Sequence, residues 1–522
     1  MGGAKLRVAS QRALFVAAAL GAGLLGTAGI GGALARVVPG GVVLRAGDPA
    51  GDTLTVASLN TAFTNRLGQV GFVAALSDGQ RMIWNDGPVF YSGEAVPLVL
   101  SGGESTMGIS DDGGFVYSPS ADGEDAVYTH GGLLLRSGWP IPSLPGLYSS
   151  FNSRPTMLPN GHAYWIGGTS TSPGGSTSNR HLFLATDPTD GSSIVRVLGG
   201  GDVIDGKTIR TSASNFDYWI SDNGGHHIHV LDMNVTLNEH VYLDGGFVAQ
   251  EGNPTGQGDA WSSFDVVAVN NDGNYVFTGD TDGPAGTDGF VAYNGEIVVR
   301  EGDVLDGVTI PAGATPRAAS INNGNVVVHM WGGTDYEHLF VGDGADLAAS
   351  RLVLSVGDSI SVDGDEVADW LVTDFKASAV IGPGLDLGPG GYVYLEADIT
   401  PLPSGPAVEA ILRIAIDSSV MVTNLGTRAG AGLRFVGQRP NPAHEPFAIR
   451  YETVYPAPVR ASVFDPLGRE VRLLYSGPAR AGDHVQSWDL RDSRGRPVPS
   501  GTYYISLRSG AEAATRKVTV VR

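Results

Sequence analysis

"NNDGNYVFTGDTDGPAGTDGFVAYNGEIVVREGD", residues 270–303, holds the building plan of most of the chain. A polar turn, NNDG, leads into an alternating stretch, NYVFTG. A second short strand, GFVAYNG, comes next, and an apolar run, IVVREGD, ends in Gly-Asp. Asn or Asp before Gly suits turns that need positive φ, and alternation gives a strand one buried and one solvated face. Both end motifs recur. The apolar run returns as VVLRAGD, LVLSGGE, LLLRSGW, VRVLGGGD, FVAQEGN and LVLSVGD, so its glycines are Gly47, Gly103, Gly138, Gly201, Gly252, Gly302 and Gly357. The polar turn returns with Gly68, Gly113, Gly161, Gly224, Gly273, Gly324 and Gly390. In five of these seven units the step from the first glycine to the second is 21 to 23 residues, a phase that glycine abundance alone would not hold.

Each unit is then a small antiparallel meander of roughly 50 residues that cannot bury its apolar face alone and must stack on neighbours. The reading is all-β, with a seven-bladed β-propeller as the predicted architecture, because a ring of meanders leaves only short edges. An open solenoid of β-units and a pair of packed sandwiches are its rivals. The strand GGVVLRAG at 40–47 is placed to close the ring against AILRIAI at 410–416.

A chain of 522 residues should divide into two or more domains, and 42% apolar content supplies real cores. The 76 glycines and 30 prolines fall between apolar runs, which argues for tight turns rather than disorder. No cysteine is present, so disulfides, Cys-ligated zinc, iron–sulfur clusters and thiol nucleophiles are excluded. The formal charge of −21 divides unevenly, at +3 for residues 1–35, −29 for 36–436 and +5 for 437–522. So acidic a body repels phosphate backbones and anionic lipid, which argues against nucleic-acid partners.

Lys5, Arg7 and Arg12 precede the apolar, glycine-rich stretch ALFVAAALGAGLLGTAGIGGALA. A basic start, an apolar middle and a small-x-small end are the parts of a secretory signal peptide, with the cut expected after Ala35. A retained anchor is the alternative, since the stretch is near spanning length. No later segment is long and apolar enough to span a bilayer. The expected plan is therefore a signal peptide at 1–35, a repeat body at 36–420, a linker at 421–436 and a C-terminal domain at 437–522. The destination is secretion or the cell surface.

The tail reads as six strands: FAIRYETV, VRASVFD, EVRLLYSG, HVQSWDL, TYYISLRSG and TRKVTVVR. Asp465-Pro466-Leu467-Gly468 and Asp492-Ser493-Arg494-Gly495 have the composition of type I turns. Six strands in this length make a small sandwich, with Trp488 and Tyr503 as its core aromatics. The pieces RPNP (439–442), IRY (449–451), VFDPLGREV (463–471), AGDHVQSWDLRDSRGRPVPSGTYYISL (481–507) and TRKVTVVR (515–522) resemble the FlgD-type Ig-like fold and the similar type A sorting domain of the type IX secretion system. The departure is NPAHEPF, where that family has a tighter Asn-Pro-Phe start. The resemblance implies two-step bacterial export, with the tail read by an outer-membrane secretion machine. The body resembles tandem-repeat exported bacterial proteins through its REGD…NNxG rhythm, which implies no activity.

Several motifs invite a chemical reading. GDVIDGKT at 201–208 satisfies the P-loop pattern, but the stretch after it, IRTSASNFDYWISDNGG, is rich in β-formers, and GDVLDGVT at 302–309 is the same element without the lysine. GGHHIHV sets His227 and His229 on one strand face with His226 opposite; the pair could supply two metal ligands, but a third must come from elsewhere and no other unit repeats them, so they are better read as core or surface histidines. The Asp-rich turns at 279–289 and 361–369 suit calcium, with Asp280, Asp282, Asp288, Asp363 and Asp365 as candidate ligands. No nucleophile elbow, zinc-protease helix or dinucleotide fingerprint is present, so no catalytic residue and no organic cofactor is assigned. The expected function is a non-enzymatic surface for binding a glycan or other surface ligand, or for structure. The alternative is a secreted polysaccharide-acting hydrolase or lyase with its site at the propeller's channel mouth.

Overall fold

The Gly-Asp repeat folds the same way wherever it is seen. The computed structural model describes residues 36–521 except 51–52, 66–68, 102–106, 143, 173–176, 178, 212–214, 334–336, 363–366, 377–384, 388–390, 417–432, 439–442, 444–446, 454–456, 467–468, 480–481 and 510–511. Gly47, Gly138, Gly201, Gly252, Gly302 and Gly357 all have φ between 79° and 96°. Each glycine N–H donates to a carbonyl of the following segment, those of Val56, Tyr148, Ile209, Trp261, Ile310 and Val372, at 2.7–2.9 Å. The N–H of that same residue returns a bond to the carbonyl of the residue after the glycine, at 2.8–3.0 Å. The motif is thus a two-bond clasp between successive units. A Cβ at Gly47, Gly138, Gly201 or Gly357 would meet nothing within 4 Å, so backbone conformation rather than crowding demands glycine. The aspartate closes the turn: Asp48, Asp202, Asp303 and Asp358 each accept the main-chain N–H three residues back.

The polar turns are Asx turns. Asn270 Oδ1 accepts from Asp272 and Asn274 N–H, and Asn322 Oδ1 from Gly324 and Val326 N–H. Positive φ falls on Gly113, Gly161, Gly224 and Gly273, but in the turn at 322–326 it moves to Asn325, at 64°, and Gly324 is spared it. Gly68, Gly103 and Gly390 lie outside the described residues.

Among the described residues the chain forms seven successive sheets: four of four strands, within 147–199, 216–250, 261–300 and 315–355, one of five strands within 56–91, and two of six strands, one within 100–136 and one built from 370–415 with Ser359–Ser361 and Val37–Arg45. The seventh is completed by the strand Val37–Arg45, which pairs antiparallel with Val408–Ala415, Gly40 opposite Ile414 and Arg45 opposite Ala410. That is the predicted closure. The same strand also pairs parallel with Ser359–Ser361. Each apolar core lies between two successive sheets. Tyr117 and Ile83 belong to the core joining the first and second, Trp165 and Val127 to the next, and Trp331 and Val299 to that between the fifth and sixth. Leu44 and Ile411 of the seventh sheet share a core with Phe72 and Val56 of the first. The cores therefore form a closed cycle, the arrangement of a β-propeller.

The tail is a sandwich of two sheets, three strands ordered Leu433–Gln438, Phe447–Thr453, Gly482–Trp488 and four ordered Glu470–Ala479, Ala457–Phe464, Gly501–Ser509, Glu512–Val520. It begins earlier than the predicted boundary at 437. LRFVGQ, whose first four residues fall in the predicted linker, is an edge strand paired with Phe447–Thr453, and the Pro-rich stretch between them hid the pairing. Trp488 and Tyr503 meet edge to face at 5.4 Å in the core between the sheets, as expected. Trp488 Nε1 donates to Arg491 O, and the Tyr503 hydroxyl to Pro499 O. Gly495 N–H closes its turn on Asp492 O at 2.9 Å. Leu467 and Gly468 of the other predicted turn, and the RPNP stretch, lie outside the described residues.

Candidate functional site

The innermost strand of each propeller sheet lines the axis. Three of these strands are tied to the preceding sheet by a carboxylate that reaches a main-chain N–H. Glu239 Oε2 accepts from Phe264 N at 2.9 Å, Glu337 Oε2 from Phe375 N at 2.6 Å, and Glu409 Oε2 from Leu59 N at 2.8 Å. All three stand at the start of the third strand of their own sheet, in Glu239–Leu243, Glu337–Asp343 and Val408–Ala415. Glu239 also accepts from Asn215 Nδ2, and Glu337 is paired with Arg317. Burial raises the carboxyls of Glu239 and Glu337 above the usual range. Sequence reading missed these residues. The one signal was the shared Glu-His pair at 239–240 and 337–338.

The residue after each stapled amide, Asn60, Asp265 or Lys376, is half-buried. Alternation along a strand turns it to the other side from the stapled residue's side chain. Burial, followed by the charge of Asp280, pushes Asp265 up to about 6. Lys376 Nζ bridges Asp374 at 2.9 Å and Asp398 at 2.7 Å. Those aspartates are cross-strand partners, a like-charge pair that would repel without the ammonium between them. The bridge to Asp398 leads in raising the Lys376 pKa. Glu396 is held well above the carboxylate range by burial and by its contact with Glu409.

At one end of the ring the polar turns stitch to one another. Asn223 N–H donates to Asn271 Oδ1 and Asn271 N–H to Asn323 Oδ1, both at 2.9 Å. Asn323 Nδ2 then reaches Asp222 Oδ2 at 2.7 Å, from the sixth sheet to the fourth. A bond that skips a sheet requires turns that converge on the axis, so this end is narrowed by the chain's own polar side chains.

The predicted calcium residues hold their own loop and tie it to the neighbouring strand. Asp282 Oδ1 accepts Ala260 N–H at 2.7 Å, Asp288 Oδ1 accepts Gly286 N–H at 3.0 Å, and Asp280 Oδ2 accepts the Ser263 hydroxyl at 3.3 Å. Burial raises Asp280, with the charge of Asp288 adding to it. Among the described residues no group of three His, Asp or Glu side chains has the geometry of a metal site. Asp363 and Asp365 lie outside the described residues. The P-loop look-alike is a hairpin, Val203–Ile204 against Lys207–Thr208, turning on Asp205 and Gly206 at φ 49° and 73°. Its counterpart, Val304–Leu305 against Val308–Thr309, turns on Asp306 and Gly307 in the same way, and neither leads into a helix. His226 bonds Asp244 at 2.7 Å, His227 is half-buried, and burial holds His229 neutral with a pKa near 3.

No protein-family model matches the chain, and no curated protein matches it. Solved structures similar to it include PorZ, a surface component of the type-IX secretion system of Porphyromonas gingivalis, at 14% identity and a TM-score of 0.29, over 90% of this chain and 75% of that one. Prolyl oligopeptidase B of Galerina marginata, bound to a 35mer substrate, is similar at 9% identity and a TM-score of 0.37, over 87% of this chain and 55% of the enzyme. An alpha-L-arabinanase of Penicillium chrysogenum is similar at 12% identity and a TM-score of 0.31, over 69% of this chain and 98% of that one. Likenesses of this order carry no argument about activity. No helix among the described residues is long and apolar enough to cross a membrane.

Proposed function

We propose that this is an exported bacterial surface protein whose propeller is a binding or structural body rather than an enzyme, and whose C-terminal sandwich is a sorting module of the type IX secretion kind. The observation that carries the reading is the sandwich itself. Its two sheets enclose a core drawn wholly from residues 443–520, residues 437–522 carry +5 against −29 for residues 36–436, and the strand order surrounds the motifs that resemble the sorting family. The partner of that module is the outer-membrane secretion machine, and the ligand of the body is a glycan or another surface molecule. Three carboxylates that reach the innermost strands support a non-catalytic body, because Glu239, Glu337 and Glu409 are occupied by main-chain amides. Ending the chain after Ile416 tests the sorting role without cutting a strand of the sandwich. The shortened protein is expected to fold and to stay in the envelope; its undiminished appearance outside the cell would defeat the reading.

The polysaccharide-cleaving alternative has one observation in its favour. Asp265 is kept protonated towards neutral pH by burial and by Asp280, the state a general acid needs. Screening polysaccharides with the intact protein and with Asp265→Asn decides it: turnover abolished by the substitution would favour the enzyme.

A further inference from the structure

Arg36 is the residue just after the expected leader cut, and the ring holds it by both main chain and side chain. Its main-chain N–H donates to Asp358 Oδ1 at 3.1 Å, and its C=O accepts from Ser359 N at 2.8 Å. Its guanidinium bonds Asp358 Oδ2 at 2.7 Å and the carbonyls of Leu352 and Val353 at 3.1 and 3.2 Å. Asp358 is only 4% exposed and belongs to the last Gly-Asp clasp, which grips Val372. The strand that completes the seventh sheet begins at the next residue, Val37. The start of the ring is therefore tied to the turn between its sixth and seventh sheets at the Arg36–Asp358 contact.

We propose that removal of residues 1–35 completes a latch at this contact. Hydrolysis of the Ala35–Arg36 bond gives the hydroxyl of water to the Ala35 carbonyl and its proton to the Arg36 nitrogen, and at neutral pH the new Ala35 carboxyl ionises while the amine takes up the second proton. The N–H that faces Asp358 becomes an ammonium, and a hydrogen bond from a neutral amide becomes an ion pair with a buried carboxylate. Charge-assisted bonds are roughly twice as strong as neutral ones. The four other bonds keep the new terminus in place, so little ordering is needed to form it. The precursor ring is then closed weakly and the processed ring firmly, which suits a chain that must cross a membrane before it folds. The latch rests on the export reading, because only a cut at this bond creates the amine. Among the described residues His338 is a titratable neighbour of both Arg36 and Asp358, and its Nδ1 bonds Ser355 Oγ at 2.9 Å.

The test compares chains of defined start, 36–522 and 33–522, by urea unfolding at neutral pH. The 36–522 chain is expected to have a roughly tenfold smaller unfolding constant, by the charge-assisted increment. That excess is present below the free amine's pKa of about 8 and is lost as pH rises through its raised value in the folded protein. Asp358→Asn must erase the difference between the two chains. Where that variant does not fold, Nα-acetylated 36–522 must fall to the level of 33–522. Equal stability of the two starting chains, or an excess that survives acetylation, overturns the latch and leaves export untouched. N-terminal sequencing of the exported protein separates the other failure, since a start other than Arg36 removes the processing step itself.

Discussion

Acidification from about pH 7.5 to about pH 5 should weaken the sixth sheet through one residue, His329. This histidine is fully buried and bonded at both ring nitrogens. Trp331 Nε1–H donates to its Nδ1 at 3.0 Å, so the ring proton sits on Nε2 and faces Ser350 Oγ, also at 3.0 Å. The serine hydroxyl in turn donates to Leu347 O at 2.7 Å. A second proton on Nδ1 would point at the indole N–H, donor against donor. Burial holds the pKa near 3. A histidine with a depressed folded pKa is neutral when folded and protonated when unfolded, so stability falls as pH drops below the unfolded value. At about pH 5 that is roughly 1.5 units below about 6.5, and at about 1.4 kcal/mol per unit the loss is about 2 kcal/mol. The raised carboxyls of Asp265 and Glu301, at about 6 and 7, titrate with the opposite sign, because they become easier to bury as they protonate, while lowered ones such as Asp112 and Asp259 act in the same direction as the histidine. The measurement is therefore a difference: urea unfolding of the native protein and of His329→Gln at both pH values. The native protein should lose about 2 kcal/mol more than the variant on acidification. Identical pH dependence in the two proteins would refute the tautomer and the relay.

Three further outcomes are expected. Glu239→Ala strands the Phe264 amide and should cost about 1–3 kcal/mol in chemical denaturation, with Glu239→Gln costing less because an amide oxygen still accepts. Gly201→Ala, at φ 91° with open space around the position, should lower stability by about 1 kcal/mol through backbone strain alone; an unchanged denaturation midpoint would remove the conformational argument for the Gly-Asp clasp. If the aspartates at 280–288 serve only to hold their loop and tie it to the strand beside it, calcium leaves the thermal midpoint where it was, and an upward shift would return Asp280, Asp282 and Asp288 to the role of ligands.

The turn chemistry was the legible part. Gly-Asp and Asn-Asp-Gly mark turns because φ preference and side-chain length act within a few residues, and Gly302 and Asn270 adopt the geometry their motifs announce. Gly324 shows the limit, since its neighbour Asn325 takes the positive φ in the same turn. The staples were not legible, because nothing around Glu409 in the chain marks Leu59 as its partner. LRFVGQ was missed for a related reason: a six-residue edge strand is defined by the strand beside it.

By itself the sequence determined that the protein is all-β, where its Gly-Asp and polar turns fall, and that the strand at 40–47 pairs with the one at 410–416, because turns and alternation are set by neighbours in the chain. Only the tertiary structure decided how the ring is held: carboxylate staples from one sheet to the next, Asn turns meeting at the axis, and Arg36 bound to Asp358 across 322 residues. Those contacts depend on a desolvated site assembled from remote segments, and their energy exists only once the ring has formed.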